Sequence, residues 1–241
     1  MKRLVAVPFL IYAGFATSAA AQSVDGGFYT NGYAELSYSD GAGTDSETLG
    51  VTETTLGYTD PNSGFGFELG IDAIVGEGDD EAAIYGAGTY QSSFGKLSLG
   101  APRPALDAYL SNVPDVAGLQ FLNFGTLGLT KRSLISSSYL LGNEDVPVGL
   151  RYDGTFGATN IGASYHRFDD ADVFNLAGNY QFGQTTLTGA IEHVSDSGFD
   201  ETRYFLGVES KFGQVTAGLL YSGNFVFSDD AAVEAYAKFK P

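Results

Sequence analysis

The strongest constraint in this chain is a side-chain parity that reverses at four Phe-Gly turns. SSFGKLSLG (92–100), GTFGATNIG (154–162), YQFGQTTLTG (180–189) and SKFGQVTAG (210–218) each set Phe-Gly between two alternating segments. Segments entering these turns carry apolar residues at even positions: Ile84 and Tyr90; Val148, Leu150 and Phe156; Phe174, Leu176 and Phe182; Tyr204, Leu206 and Phe212. Segments leaving them switch to odd positions: Leu97 and Leu99; Ile161 and Tyr165; Leu187 and Ile191; Val215, Leu219 and Tyr221. Successive side chains of a strand point to opposite faces, so hairpins built this way share one apolar face. The opposite face collects Glu35, Glu53, Glu68, Asp72, Lys96, Arg151, Asp153, His166, Glu192, Arg203, Glu209, Lys211, Glu234 and Lys238. The expectation is an apolar face free of Asp, Glu, Lys and Arg.

A fifth breaker cluster, Asp60-Pro61-Asn62-Ser63-Gly64, precedes the alternating run FGFELGIDAIV. Five tight turns join ten strands, and one strand on either side makes twelve. The predicted spans are 28–39, 48–59, 65–75, 82–92, 95–101, 146–154, 158–167, 173–182, 185–194, 202–211, 214–222 and 231–239. Helical periodicity is nearly absent after residue 22.

Residues 1–21 have the form of a cleaved export signal. Met1-Lys2-Arg3 is positive, 4–15 is apolar, and Ala19 and Ala21 form the cleavage arrangement before Gln22. Loss of Lys2 and Arg3 would take the formal charge from -17 to -19. Such an acidic chain is a poor partner for nucleic acid, whose phosphates need a basic surface. With no cysteine, disulfide scaffolds, zinc-thiolate sites and thiol catalysis are excluded. No uncharged apolar run after residue 22 is long enough for a transmembrane helix.

Two architectures use a one-sided apolar sheet. A soluble sandwich hides the apolar face in a core; a membrane barrel turns it to lipid and keeps the polar face inside. Gaps at Gly86, Gly88, Gly178 and Gly189 on the apolar face suit fluid lipid better than a close-packed core. Aromatic residues bracket the strands, as from Phe156 to Tyr165 and from Phe212 to Tyr221, nine positions apart in each case. Nine residues tilted by about 40° rise roughly 23 Å, near the apolar band of an outer-membrane barrel. One set of connections is tight, whereas the other is longer and acidic. The fold class is therefore all-β, a transmembrane antiparallel barrel spanning 22–241. It has twelve strands, or fourteen if 119–129 and 133–141 form a further hairpin.

The connection 102–145 stands apart. It opens with Ala101-Pro102-Arg103-Pro104, continues into ALDAYLSN with capacity for one or two helical turns, and is rich in Leu, Phe and Tyr. A long apolar connection is expected to pack, and the place to pack is inside the barrel.

The stretch SSFGKLSLGAPRPALDAYL (92–110) resembles the fifth strand and third loop of the small general diffusion porins of purple non-sulphur bacteria and related alpha-proteobacteria. VEAYAKFKP (233–241) is similar to their closing strand. The resemblance implies a water-filled outer-membrane channel, usually a homotrimer, with loop three folded inward as a constriction. Loop acids facing wall bases would then be Asp107 and Asp115 on the loop and Arg151, His166 and Arg203 on the wall. Glu68 and Asp72 share that wall by parity. The family has sixteen strands, against twelve counted here.

Three function classes meet this pattern. A pore for passive diffusion of small hydrophilic solutes and ions explains the polar inner face, with a substrate-specific channel as its alternative, and its excess of acid implies a modest preference for cations. A barrel enzyme such as a phospholipase needs a nucleophile, a base and an orienting group that converge. The two histidines are His166, facing inward, and His193, on the apolar face two residues from Ser195. Neither lies in a recognisable motif. An adhesive barrel needs prominent outer loops, which are short here. No cofactor is implied. The acidic loops at Asp79-Asp80-Glu81 and around Asp169-Asp170-Asp172 have the hard oxygen ligands that calcium takes, but no defined calcium-loop spacing.

Overall fold

A computed structural model describes residues 26–41, 44–76, 81–110, 133, 135–136, 139, 145–223 and 231–239. The proposed signal peptide and Asp115 lie outside these residues. Twelve strands follow one another: β1 (Gly27–Gly41), β2 (Thr44–Thr59), β3 (Phe65–Gly76), β4 (Glu81–Ser92), β5 (Gly95–Ala101), β6 (Val148–Phe156), β7 (Thr159–Phe168), β8 (Ala171–Phe182), β9 (Thr185–Asp196), β10 (Phe199–Phe212), β11 (Val215–Gly223) and β12 (Ala232–Phe239). A short helix, α1 (Ala105–Leu110), lies between β5 and β6. Each strand pairs antiparallel with its sequence neighbour, in the order β1 to β12. One cavity is lined by residues of all twelve strands, from Tyr29 on β1 to Tyr236 on β12, so the sheet is wrapped around it.

Of the segments in the fourteen-strand alternative, 119–129 lie outside the described residues, and the pairing of the neighbouring strands has no room for them in the sheet. β5 pairs directly with β6, as Leu97 with Tyr152 and Leu99 with Leu150, leaving no place for a hairpin between them. Residues 135, 136 and 139 are helical. β6 begins two residues later than predicted because Pro147 has no N–H to give a ladder.

Burial is inverted relative to a soluble protein. Among the described residues thirty large apolar or aromatic side chains are exposed, Phe65 at 64%, Ile84 at 61% and Leu99 at 67% among them. Asp72, His166, Asn175 and Glu192 are fully or almost fully buried on the other face. Exposing each large apolar side chain to water would forfeit about 1.5–3 kcal/mol, so this is not a surface that a folded chain presents to water. That settles the choice between sandwich and barrel.

Two details of the sequence reading need correction. Arg167 falls on the outer face of β7, where it stands 3.7 Å from Asp172 of β8. The apolar face is therefore free of charge only below that level. The nine-residue interval between aromatics also included the turn. Phe156 pairs with Thr159, so Tyr165 lies only six residues up β7, about 15 Å at 40° tilt. The apolar band instead runs from the Phe-Gly turns to the Arg167–Asp172 level. That is eight residues on β7 and ten on β8, about 20–25 Å.

The Phe-Gly hairpins share a mechanism in three cases. Gly157, Gly183 and Gly213 take φ of 63°, 59° and 63° as the first central residue, while Ala158, Gln184 and Gln214 are not in the left-handed region. This is the II′ arrangement whose twist matches a hairpin. At the fourth, Ser92 pairs with Gly95, so Phe94 sits in the turn itself. In the fifth turn the Asp60 carboxylate accepts from Asn62 N at 2.9 Å and from Ser63 Oγ at 2.8 Å. These hydrogen bonds, the Asn62 backbone donor foremost, hold its pKa below the ordinary carboxylate value.

Candidate functional site: the barrel lumen

The connection after β5 folds into the barrel. Pro102 and Pro104 keep the chain extended as it leaves the strand, and α1 follows at once. Leu106 and Leu110 of α1 bury against Ala177, Ala190, Phe205 and Leu220, the inward residues of β8 to β11. This apolar patch on an otherwise polar wall is the seat of the loop. The returning limb packs in the same way, with Ile135 against Phe168, Val173 and Val194. Tyr139 lies edge-on to Tyr85 with 5.6 Å between ring centroids, and its hydroxyl donates to Ile84 O at 3.0 Å.

Polar anchors fix the loop on opposite walls. Arg103 reaches β2 and β3, where it pairs with Asp72 and donates to Thr55 Oγ1 at 3.0 Å and to the carbonyls of Thr54 and Ile71 at 3.2 Å. Its guanidinium also stands 5.2 Å from the centre of the Tyr85 ring. On the far wall Ser133 Oγ bonds Glu192, whose Oε1 accepts from Arg203 Nε at 2.7 Å. Ala105 N donates to Ser164 Oγ at 2.9 Å.

The expected loop and wall residues are distributed as follows. Asp107 is buried on α1, where it accepts from Ser133 N at 2.6 Å and from Ser136 Oγ. Both donors belong to the loop's own returning limb. Arg151 donates to Asp153 Oδ1 through Nη2 at 2.6 Å and Nε at 3.0 Å, and touches Arg103 O at 3.4 Å. His166 is buried beneath the start of the loop and donates from Nε2 to Pro102 O at 2.8 Å. Glu68 holds both Lys96 and Tyr29. Of the seven residues singled out from sequence, Asp107, Arg151 and Glu68 line the cavity; His166, Arg203 and Asp72 serve the loop's seating. Arg103, Glu192, Ser133 and Ser136 were missed. Arg103 left a trace as a base between two prolines, and Glu192 by its parity on the inward face.

The cavity measures about 1020 Å³ and occupies the half of the barrel nearest the Phe-Gly turns, roofed by Pro102, Arg103 and α1. Five carboxylates line it, Glu53, Glu68, Asp107, Asp153 and Glu209, against three cations, Lys96, Arg103 and Arg151. From the turn end of β6 through β9 the lining is neutral and polar: Thr155, Asn160, Asn179, Gln181, Thr186 and Thr188. Among the described residues that line it there is no histidine. His193 lies on the outer surface, with Nδ1 2.9 Å from Thr202 Oγ1. Among the described residues no group of three or more His, Cys, Asp or Glu is placed to hold a metal ion.

Residues 6–238 match the family described as Gram-negative porin. Among solved structures, a triple mutant of the Rh. blastica porin matches with a TM-score of 0.61 at 17% identity, covering 88% of this chain and 80% of that one. Two other mutants of the same porin are 14% and 15% identical over 88% and 87% of this chain, with TM-scores of 0.31 and 0.32. No curated protein matches the chain.

Proposed function

This chain belongs to the Gram-negative porin family, and from that premise we propose how its lumen selects what passes. The protein is an outer-membrane channel for passive diffusion. The observation that carries the reading is the inversion of the sheet, with lipid-compatible side chains outside and Glu68, Lys96, Arg151 and Asp153 around a cavity inside.

The proposed constriction is the loop between β5 and β6, with Asp107 and Asp115 as its acids and Arg151, Glu68, Asp72, His166 and Arg203 on the wall. Five acids against three bases in the vestibule give a net negative field, which enriches cations and depletes anions. The selectivity is modest. A unit charge acts on an ion about 5 Å away with roughly 3 kcal/mol at an effective dielectric of 20, and with less in a water-filled pore. No chemistry is performed on the solute. We further propose that residues 1–21 are removed on export, that lipid contacts the exposed apolar band, and that the protein is a homotrimer. Cross-linking in the membrane reads the last of these.

The test is conductance in a planar bilayer. Purified protein should give discrete channels, and deletion of 105–117 should raise the conductance of each. The strands pair without the loop, so the variant should still insert. A deletion variant with unchanged conductance would remove the loop from the pore.

A further inference from the structure

Three tyrosine rings in the vestibule lie on glycines. A side chain at Gly57 would strike the Tyr29 ring at 2.1 Å, one at Gly218 the Tyr236 ring at 2.3 Å, and one at Gly162 the Tyr109 ring at 2.4 Å. Tyr29 faces Gly57 directly across β1 and β2, and Tyr236 faces Gly218 across β12 and β11. Each ring is half-buried and each lines the cavity. One side of the ring covers bare backbone, leaving the other toward the lumen. Two of the hydroxyls are also pinned, Tyr29 to Glu68 and Tyr236 to Glu209 at 2.6 Å. These are fixed aromatic surfaces whose rotamer freedom is already spent.

Beside them runs a ladder of neutral polar groups. Thr155 Oγ1 donates to Asn160 Oδ1 at 2.8 Å, and Asn160 Nδ2 donates to Asn179 Oδ1 at 2.8 Å. Gln181, Thr186 and Thr188 extend the same wall. Of the charges near the rings, Lys96 pairs with Glu68 and Arg151 with Asp153, while Glu209 accepts from the Tyr236 hydroxyl.

We propose that this vestibule is a binding site for neutral polyhydroxylated solutes, sugars above all, which dwell there during passage. A pyranose has a flat C–H face and a rim of hydroxyls that both donate and accept. The first suits an aromatic face and the second suits planar amides, threonine hydroxyls and dipolar ion pairs. An organic cation would also seek aromatic rings, but two of the five lining carboxylates, Glu68 and Asp153, already hold Lys96 and Arg151, so the cation is the competing probe in the test. The inference rests on the channel reading and adds a solute class to it.

The test is block of single-channel potassium chloride current by maltotriose, with a polyethylene glycol of equal hydrodynamic radius and tetraethylammonium as comparison probes. Maltotriose should block at about tenfold lower concentration than the glycol. The Tyr29→Ala/Tyr236→Ala variant should lose that advantage without losing potassium current, while Tyr29→Phe, which keeps the ring, should retain most of it. If the double variant does not insert, Asn160→Ala/Asn179→Ala leaves the rings in place and should still weaken maltotriose block several-fold. Equal block by sugar and glycol, a wild type blocked better by tetraethylammonium, or variants that block like wild type would overturn the proposal. Absence of any channel current from the wild type would instead overturn the channel reading beneath it.

Discussion

Placing one arginine on each face of the barrel separates the two solvents of this fold. Leu69 lies on the outer face of β3, half exposed, four residues from Phe65 and six from Val75. At about 3.3 Å per residue and 40° tilt it stands roughly 10 Å above the aromatic end and 15 Å below the other, close to the bilayer midplane. Leu69→Arg should therefore cost about 2–4 kcal/mol of folding free energy in a bilayer. That lowers the folded-to-unfolded ratio by roughly 30- to 700-fold. Thr188 lies on the inner face of β9 and lines the cavity, so Thr188→Arg keeps its charge in water and should cost well under 1 kcal/mol. It should alter conductance instead. Urea titration of vesicle-inserted protein, read by the gel shift between folded and unfolded barrels, gives both midpoints. Equal midpoints for the two variants would refute the assignment of faces.

Arg103→Ala should release the start of the loop from Asp72 and Thr55, raising open-channel current noise while leaving the number of inserted channels unchanged. Asp60→Ala should lower the unfolding midpoint at neutral pH, because the carboxylate's folded pKa is depressed. Its contribution is present above the unfolded value and is lost as pH falls through the folded one, so the two proteins should converge once the pH is below it. Gln184→Cys and Gly198→Cys occupy opposite ends of β9 in a chain without cysteine. An impermeant thiol reagent on intact cells should label the second and spare the first, and equal labelling would contradict the topology.

The strands and their faces were legible because lipid on one side and water on the other force a strict two-residue period over every crossing. Gly157, Gly183 and Gly213 were legible as turns because a II′ hairpin leaves the first central position to glycine. The outer ends were read too short. β10 begins at Phe199 rather than 202, and β2 at Thr44 rather than 48, because ladder hydrogen bonds continue above the membrane where no apolar face marks them. The lumen was only half legible. Parity set Glu68, Arg151 and Asp153 on the inner face, but a face does not name a partner. Asp107 was expected opposite wall bases and does line the lumen, but parity gave no sign that it would also accept from Ser133 and Ser136, more than twenty residues along the chain. The reverse pairing, loop Arg103 on wall Asp72, follows from how a curved sheet brings β2 and β3 under a chain leaving β5. The tyrosine–glycine pairs were hidden for the same reason, since register decides which glycine lies beneath which ring.

The reversal potential of the open channel in a potassium chloride gradient tests the account most directly, because it reads the sign of the field inside the barrel. The excess of lumen carboxylates predicts a cation preference at low salt that fades near 1 M, where the Debye length is about 3 Å. Asp107→Asn should weaken that preference. An anion-selective wild type, or a preference indifferent to salt, would contradict an acidic, water-filled lumen as the conducting path.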